Sequence, residues 1–376
     1  AGRARRDAWP ATGLLILNYA RHSFLYYWLT VLLMLTVPAS AEAECPELAG
    51  QTIRWIVPNR PGGGYDAYSR LLQPFLEQSL DARVRIENRP EAGGLVGAMA
   101  IRDAKADGRT LGLVNASGLL AASLLESSST PDPAVDFTVL GRITRNHVVM
   151  FSGRDSGFST MEEVLAAAAD RPLVVAVRDA GSVSLMVVPI TAELLAVDYE
   201  LVSGYVGSNA RILALIRGEV DIAFGHFDSV RAQVRAGELL PLLQLTTMPG
   251  GGFQSDSPYA SLPELGGPGG LAERRAALSG LDPAQARQAA DDLDAVVGAG
   301  RLMVGPRRLP AELSACLQTR IGDIVMSEAF KQAAEQARLG IDYADSAAAE
   351  AEILKGRRAL QRFQETIRAA IEQVRR

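Results

Sequence analysis

The stretch IRWIVPNRPGGGYDAYSRLL, residues 53–72, sets the fold. IRWIV at 53–57 is a short apolar, β-branched run, the pattern of a buried strand. Pro58 and Pro61 close it, and Gly62, Gly63 and Gly64 make a turn that no side chain constrains. Tyr65, Tyr68 and Leu72 then recur at helical spacing. Strand, glycine loop and helix in that order form the elementary unit of an α/β fold. Glycine readily takes backbone conformations with φ > 0, which can turn N–H groups outward. A helix starting near Tyr65 or Asp66 adds its own unpaired N–H groups and the positive end of its dipole. Gly62, Gly63, Gly64 and Asp66 are thus a candidate anion cradle built from backbone, with a plain tight turn as the alternative.

A second stretch, ENRPEAGGLVGAMA at 87–100, repeats the arrangement after another strand candidate at 83–87. Its loop turns through Pro90, Ala92, Gly93 and Gly94 before a helix begins. Ala92-x-Gly94-x-x-Gly97 looks like a degraded dinucleotide fingerprint, but the glycines stand too far from the strand and no acid follows some twenty residues on. Two such loops on parallel strands of one sheet open on the same carboxyl edge, where ligands of these sheets bind. Together they can clasp one anionic group.

Further along, short strand patterns at 110–114, 147–151, 173–177, 199–203, 220–224 and 240–246 alternate with helical patterns at 160–169, 184–197, 208–217 and 228–236. That alternation points to parallel sheets covered by helices. The texture then changes. Residues 249–270 are rich in glycine, proline and serine and read as turns. Asp282 and Pro283 form an N-cap and first-turn pair for an Ala-rich helix at 283–297, followed by a strand at 301–304 and helices at 310–325, 327–338 and 346–374. The charges of the last helix read most simply as a solvated face.

The chain opens with Arg3, Arg5, Arg6 and Arg21, then FLYYWLTVLLMLTV at 24–37 and PASA at 38–41. This pattern predicts an export leader cleaved near Ala41, leaving a mature chain that starts near Glu42; an uncleaved anchor is the alternative. Loss of four arginines and one aspartate takes the formal charge from −5 to −8, which disfavours nucleic-acid binding. Cys45 and Cys316 would then meet an oxidising compartment, where a disulfide between them is possible. A lipid anchor on Cys45 is disfavoured, because AEAE before it lacks the small and apolar positions a lipidation signal needs. With His22 in the leader, His147 and His226 are too few to build a histidine-rich metal site, and no metal or cofactor is expected. No GxSxG, HExxH or GxxxxGK[ST] motif is present.

IRWIVPNRPGGGYDAYSRLL, VRIENRPEAGGLVGAMAI and KADGRTLGLV, with YVGSNARILALIRGEVDIAFG at 205–225, GELLPLLQLTT at 237–247, SLPELG at 261–266 and VGPRRLPAEL at 304–313, occur in an order that resembles the substrate-binding receptors of tripartite tricarboxylate transporters, the Bug-type periplasmic receptors. The resemblance implies an α/β, two-lobed periplasmic-binding-protein fold, type II-like, with a ligand cleft between the lobes. It places lobe 1 at 45–147 plus 248–376 and lobe 2 at 148–247. It further implies a monomeric periplasmic receptor for a small organic carboxylate that serves membrane components of a transporter or a sensor. One carboxylate would be held by Gly62, Gly63, Gly64 and Asp66 and by Ala92, Gly93 and Gly94. Gly181, Ser184 and Tyr205 would make the contacts from the second lobe.

Asn59, Glu91 and Val183 depart from the family pattern, as do Arg178, Asp179 and the segment 266–300. Glu91 would repel an anion unless it faces solvent or a cation such as Arg60 or Arg89. Arg178 could pair with a second solute carboxylate or, more simply, with Asp179. Two rival readings follow: an enzyme with Asp66, Glu87 or Glu91 as base, and a receptor-like protein that no longer binds a solute.

Overall fold

The computed structural model describes residues 45–125, 130–177, 183–205, 207–245 and 262–375. The leader, Arg178, Asp179, Gly181 and the turns at 249–261 lie outside the described residues.

The first five-stranded sheet has the order β2-β1-β3-β10-β4. Strands β1 (Thr52–Val57), β2 (Arg83–Asn88) and β3 (Thr110–Asn115) run parallel. Strand β10 (Arg301–Pro306) enters antiparallel between β3 and β4 (Phe137–Thr144). Helix α1 (Gly64–Leu80) covers one face: Trp55 is fully buried there, and its Nε1 donates to Ser69 Oγ at 3.0 Å. On the other face Ile56 meets Ile101 of α2 (Leu95–Arg102). Alternate residues of β1 thus serve opposite layers, as the pleat requires.

The second sheet has the order β7-β6-β8-β5-β9. Its strands are β5 (Val148–Gly153), β6 (Leu173–Ala176), β7 (Tyr199–Val202), β8 (Ile222–His226) and β9 (Leu239–Gln244). Strands β6, β7 and β8 are parallel, while β5 runs against both β8 and β9. On one face, Val149 and Phe151 pack with α6 (Gly207–Ile216) and α7 (Phe227–Arg235). On the other, Val148 and Met150 face α5 (Val183–Leu195). Helix α4 (Met161–Asp170) precedes β6 and is closed by a Thr160–Glu163 capping box. The sheets are mixed, where the sequence pattern predicted parallel strands; β5, β9 and β10 carry the antiparallel pairing.

Helix α5 explains how the 266–300 segment is used. Every residue of α5 except Glu193 is buried, so it needs apolar cover on all sides. The cover comes from α3 (Ala116–Leu125), α8 (Leu271–Arg275), α9 (Pro283–Gly298) and α13 (Gln364–Arg375). The Asp282 cap and Pro283 start of α9 are as expected, with Gln285 completing a capping box. One apolar core therefore runs from Ile56 and Val114 through Met186 and Leu293 to Met150 and Phe224.

Four elements differ from the sequence reading. Strand β4 and helices α3 and α8 were not expected. The helix expected at 346–374 is two, α12 (Ser346–Arg362) and α13, divided at buried Phe363. Nor are the charges of α12 all solvated: Glu352 pairs with Arg142, Arg357 with Asp132 at 3.1 Å and Arg362 with Asp292 at 2.9 Å. The two remaining helices, α10 (Ala311–Met326) and α11 (Glu328–Gln336), lie near α1. The Cys45–Cys316 disulfide, with 5.7 Å between Cα atoms, ties residue 45 to α10.

Candidate functional site

The carboxyl ends of β1 and β2 carry the two glycine loops. In the first, Gly62 has φ +78° and Gly63 is extended at φ −86° as the N-cap of α1. Only one of the three glycines thus uses the left-handed region. Gly64 has a different neighbour: a Cβ there would stand 3.2 Å from an Arg301 guanidinium nitrogen, a tight contact. In the second loop Ala92, Gly93 and Gly94 all have positive φ, at 49°, 68° and 97°. A Cβ on Gly94 would run into the Pro58 carbonyl oxygen, so the absence of a side chain lets one loop lie directly on the other. Gly63 and Gly94 both occupy N-cap positions and have no side-chain oxygen to offer, whereas Thr160, Asp282, Ser327 and Asp345 cap their own helices. Neither helix therefore has a side-chain cap at its N-terminus, although Leu95 N at the start of α2 donates to Ala92 O.

Asp66 belongs to the framework of this loop pair. Its buried carboxylate accepts from Gly62 N at 3.0 Å, Arg70 Nε at 2.8 Å and Asn88 Nδ2 at 3.0 Å. The same Asn88 amide donates to Asn59 O at 3.0 Å, which fixes the departure of loop 1 against the end of β2. Burial raises the Asp66 pKa, but the bonds from Arg70, Gly62 and Asn88 outweigh it and hold the carboxyl below its ordinary value. Glu87 is likewise held low, first by its hydrogen bonds from Arg54 at 2.9 and 3.1 Å, against burial, and then by the charges of Arg54, Arg89 and Arg85. Glu91 is exposed, so it meets the condition for standing beside an anion site.

Other polar groups gather on the same edge of the sheet. Arg301, the first residue of β10, pairs in register with Asn115 and Thr144, the last residues of β3 and β4. Asn146 follows directly, its Nδ2 3.4 Å from Asn115 Oδ1 and 3.3 Å from Ser117 Oγ, which donates to Val297 O at 2.7 Å. These residues escaped the sequence reading because no motif marks them. An asparagine ending the run TLGLVN, where a carboxyl edge was already expected, was the available signal for Asn115.

The crossing 145–147 leads from the end of β4 to β5, whose first residue pairs with His226, the last of β8. The expected contacts of the second sheet sit at its corresponding edge. Ser184 is buried in the first turn of α5 after β6, and Tyr205 lies ahead of α6 after β7, partly buried against Ile212 and its neighbours. Burial, then Glu219, raises the Tyr205 pKa, so its hydroxyl keeps its proton at neutral pH. The second loop is packed at Gly94 against Pro58, where the first loop leaves β1, and Asp66 is bonded to Asn88 at the end of β2; Ser184 and Tyr205 stand on the other sheet. A cavity beneath α4 and α5, lined by Met150, Val188, Thr191 and Tyr199, measures about 20 Å³, room for one water and too small for an organic acid. Among the described residues no cluster of three metal-ligating side chains occurs, and no helix is long and apolar enough to cross a membrane.

Residues 68–248 match the tripartite tricarboxylate transporter family receptor. BugT of Bordetella pertussis is 27% identical over 220 residues, 56% of this chain and 66% of that protein. The chain spans 46% to 66% of the length of the curated relatives it matches. Among solved structures, MatC of Rhodopseudomonas palustris with bound malate has a TM-score of 0.62 at 21% identity, covering 84% of this chain and 99% of its own. A second R. palustris protein, with adipate, has a TM-score of 0.66 at 19% identity over 84% and 97% of the two chains. These neighbours share the two-lobed periplasmic-binding-protein fold. By sequence match and fold, the chain is similar to the Bug-type receptors of the tripartite tricarboxylate transporter family.

Proposed function

We propose that this protein is a periplasmic solute-binding receptor that takes a small organic carboxylate onto its two glycine loops and presents it to the membrane components of a tripartite tricarboxylate-type transporter. One observation carries the reading: two helix N-termini without side-chain caps stand at the carboxyl edge of adjacent parallel strands, where buried Gly94 lies against Pro58. Such a pair offers directed N–H groups and partial positive charge, which match a carboxylate. Malate and adipate in the related structures are both dicarboxylates. The lobes are taken as 45–147 plus 248–376 and 148–247, with Ser184, Tyr205 and Gly181 meeting the solute from the second. The disulfide suits an oxidising compartment such as the periplasm.

The enzyme reading loses support because Asp66 and Glu87 are both held below the range a base needs near neutral pH. Thermal unfolding of the purified chain with malate, adipate, citrate and a monocarboxylate tests the proposal. A ligand at about 100 times its Kd adds roughly 2.7 kcal/mol of stability. A flat response to every acid would count against a carboxylate receptor.

A further inference from the structure

Arg301 is 1% exposed, yet it lies directly under the first turn of α1. Its guanidinium carbon is 5.1 Å from the Tyr65 ring centre and 4.8 Å from that of Tyr68. One of its terminal nitrogens would stand 3.2 Å from a Cβ at Gly64, the first residue of α1. The two tyrosines, a turn apart, hold the flat cation in place by their ring faces. Gly64 has no side chain to push it away. The third glycine of the loop is thereby explained by a residue on a strand far along the chain. A guanidinium keeps its charge at any ordinary pH, and burial reduces the screening between that charge and an anion seated one turn away. Asp66, on the same turn of α1, is engaged by Arg70 at 2.8 Å.

We propose that Arg301 is the specificity-determining cation of the cradle. Resting on the receptor reading above, this inference adds that the preference for an ionised carboxylate comes from a buried positive charge beneath α1 as well as from backbone N–H groups. Arg301 acts at a distance, without touching the solute.

Calorimetry on the parent chain, Arg301→Lys and Arg301→Met, using whichever of malate, adipate or citrate stabilises the parent most, tests this. Near-ultraviolet circular dichroism reports on the packing of the tyrosines. The methionine variant should bind at least about tenfold more weakly, while the lysine variant stays within about threefold of the parent. Equal affinity of the methionine variant and the parent overturns the proposal and leaves the receptor reading intact. An equal loss in both variants assigns Arg301 to packing alone and also overturns it. If Arg301→Met does not fold, Arg301→Gln takes its place: a loss of about tenfold in the folded variant supports the charge role, and parent-like affinity contradicts it. A parent that binds none of the three acids fails the receptor reading, and this inference with it.

Discussion

Asp66 Oδ1 accepts a hydrogen bond from Asn88 Nδ2 at 3.0 Å, and this contact joins the first turn of α1 to the end of β2. Its other oxygen holds Gly62 N and Arg70 Nε, so one carboxylate sets the shape of loop 1 and its distance from loop 2. Asp66→Ala strands these donors and is predicted to cost about 1–3 kcal/mol of stability. Carboxylate affinity should fall with it. Urea denaturation and calorimetry on the variant check both effects.

The same geometry sets a pH dependence. Asp66 and Glu87 both have native pKa values below their ordinary ones, so their contribution is complete above the unfolded-state value and is lost as pH falls through the lowered native value. Stability should therefore fall below about pH 4 in part through these two groups. Asp66→Asn combined with Glu87→Gln should flatten that acid limb in denaturation curves recorded from pH 6 to 2.5, whatever the variant loses at neutral pH.

Gly94 and Gly63 should respond differently to alanine. At Gly94 the positive φ and the Pro58 carbonyl both oppose a side chain, giving an expected cost of about 1–3 kcal/mol. At Gly63 the backbone is extended and the nearest atom to an added Cβ is Arg60 O at 3.6 Å. Gly63→Ala should cost under about 1 kcal/mol, the ordinary price of a poorer N-cap residue. Thermal melts of the two variants decide.

The disulfide closes a loop of 271 residues. Its loss through paired Cys45→Ala and Cys316→Ala should lower stability by up to about 5 kcal/mol, since a longer loop constrains the unfolded chain more. Comparison with the oxidised parent in denaturant measures this.

The crossing between the sheets is clamped by α9. Arg145 of the crossing pairs with Asp294 at 3.0 Å, both side chains largely buried, and Gly298 lies so close to Arg145 that a side chain there would overlap it. Asp294→Ala should cost about 3 kcal/mol by leaving the guanidinium without this partner. A double-mutant cycle with Arg145→Ala should recover a coupling of about 1–3 kcal/mol.

The glycine loops and the strands before them were legible because their signals are local: IRWIV and PGGGYDAY lie within a few residues of each other. Strand β4 was not, because buried Arg142 interrupts its apolar run. That charge is met by Asp342 and Glu352, far along the chain, and burial lowers its pKa only to about 10. Helix α3, ASGLLAASLL, is apolar on every side and shows no helical period to read. The break at Phe363 carries neither glycine nor proline. Arg301 was hidden for the same reason as Arg142, since its partners Tyr65 and Tyr68 are neighbours only in the fold.

The central claim, a carboxylate seated on backbone N–H groups between the two loops, is tested most directly by calorimetry on Gly63→Val. Its extended backbone and open surroundings accommodate a side chain, which would then project where the solute is expected. The account predicts a variant with the parent's circular dichroism and at least about tenfold weaker binding of the acid that stabilises the parent most. A folded Gly63→Val chain that binds this acid as tightly as the parent would contradict it.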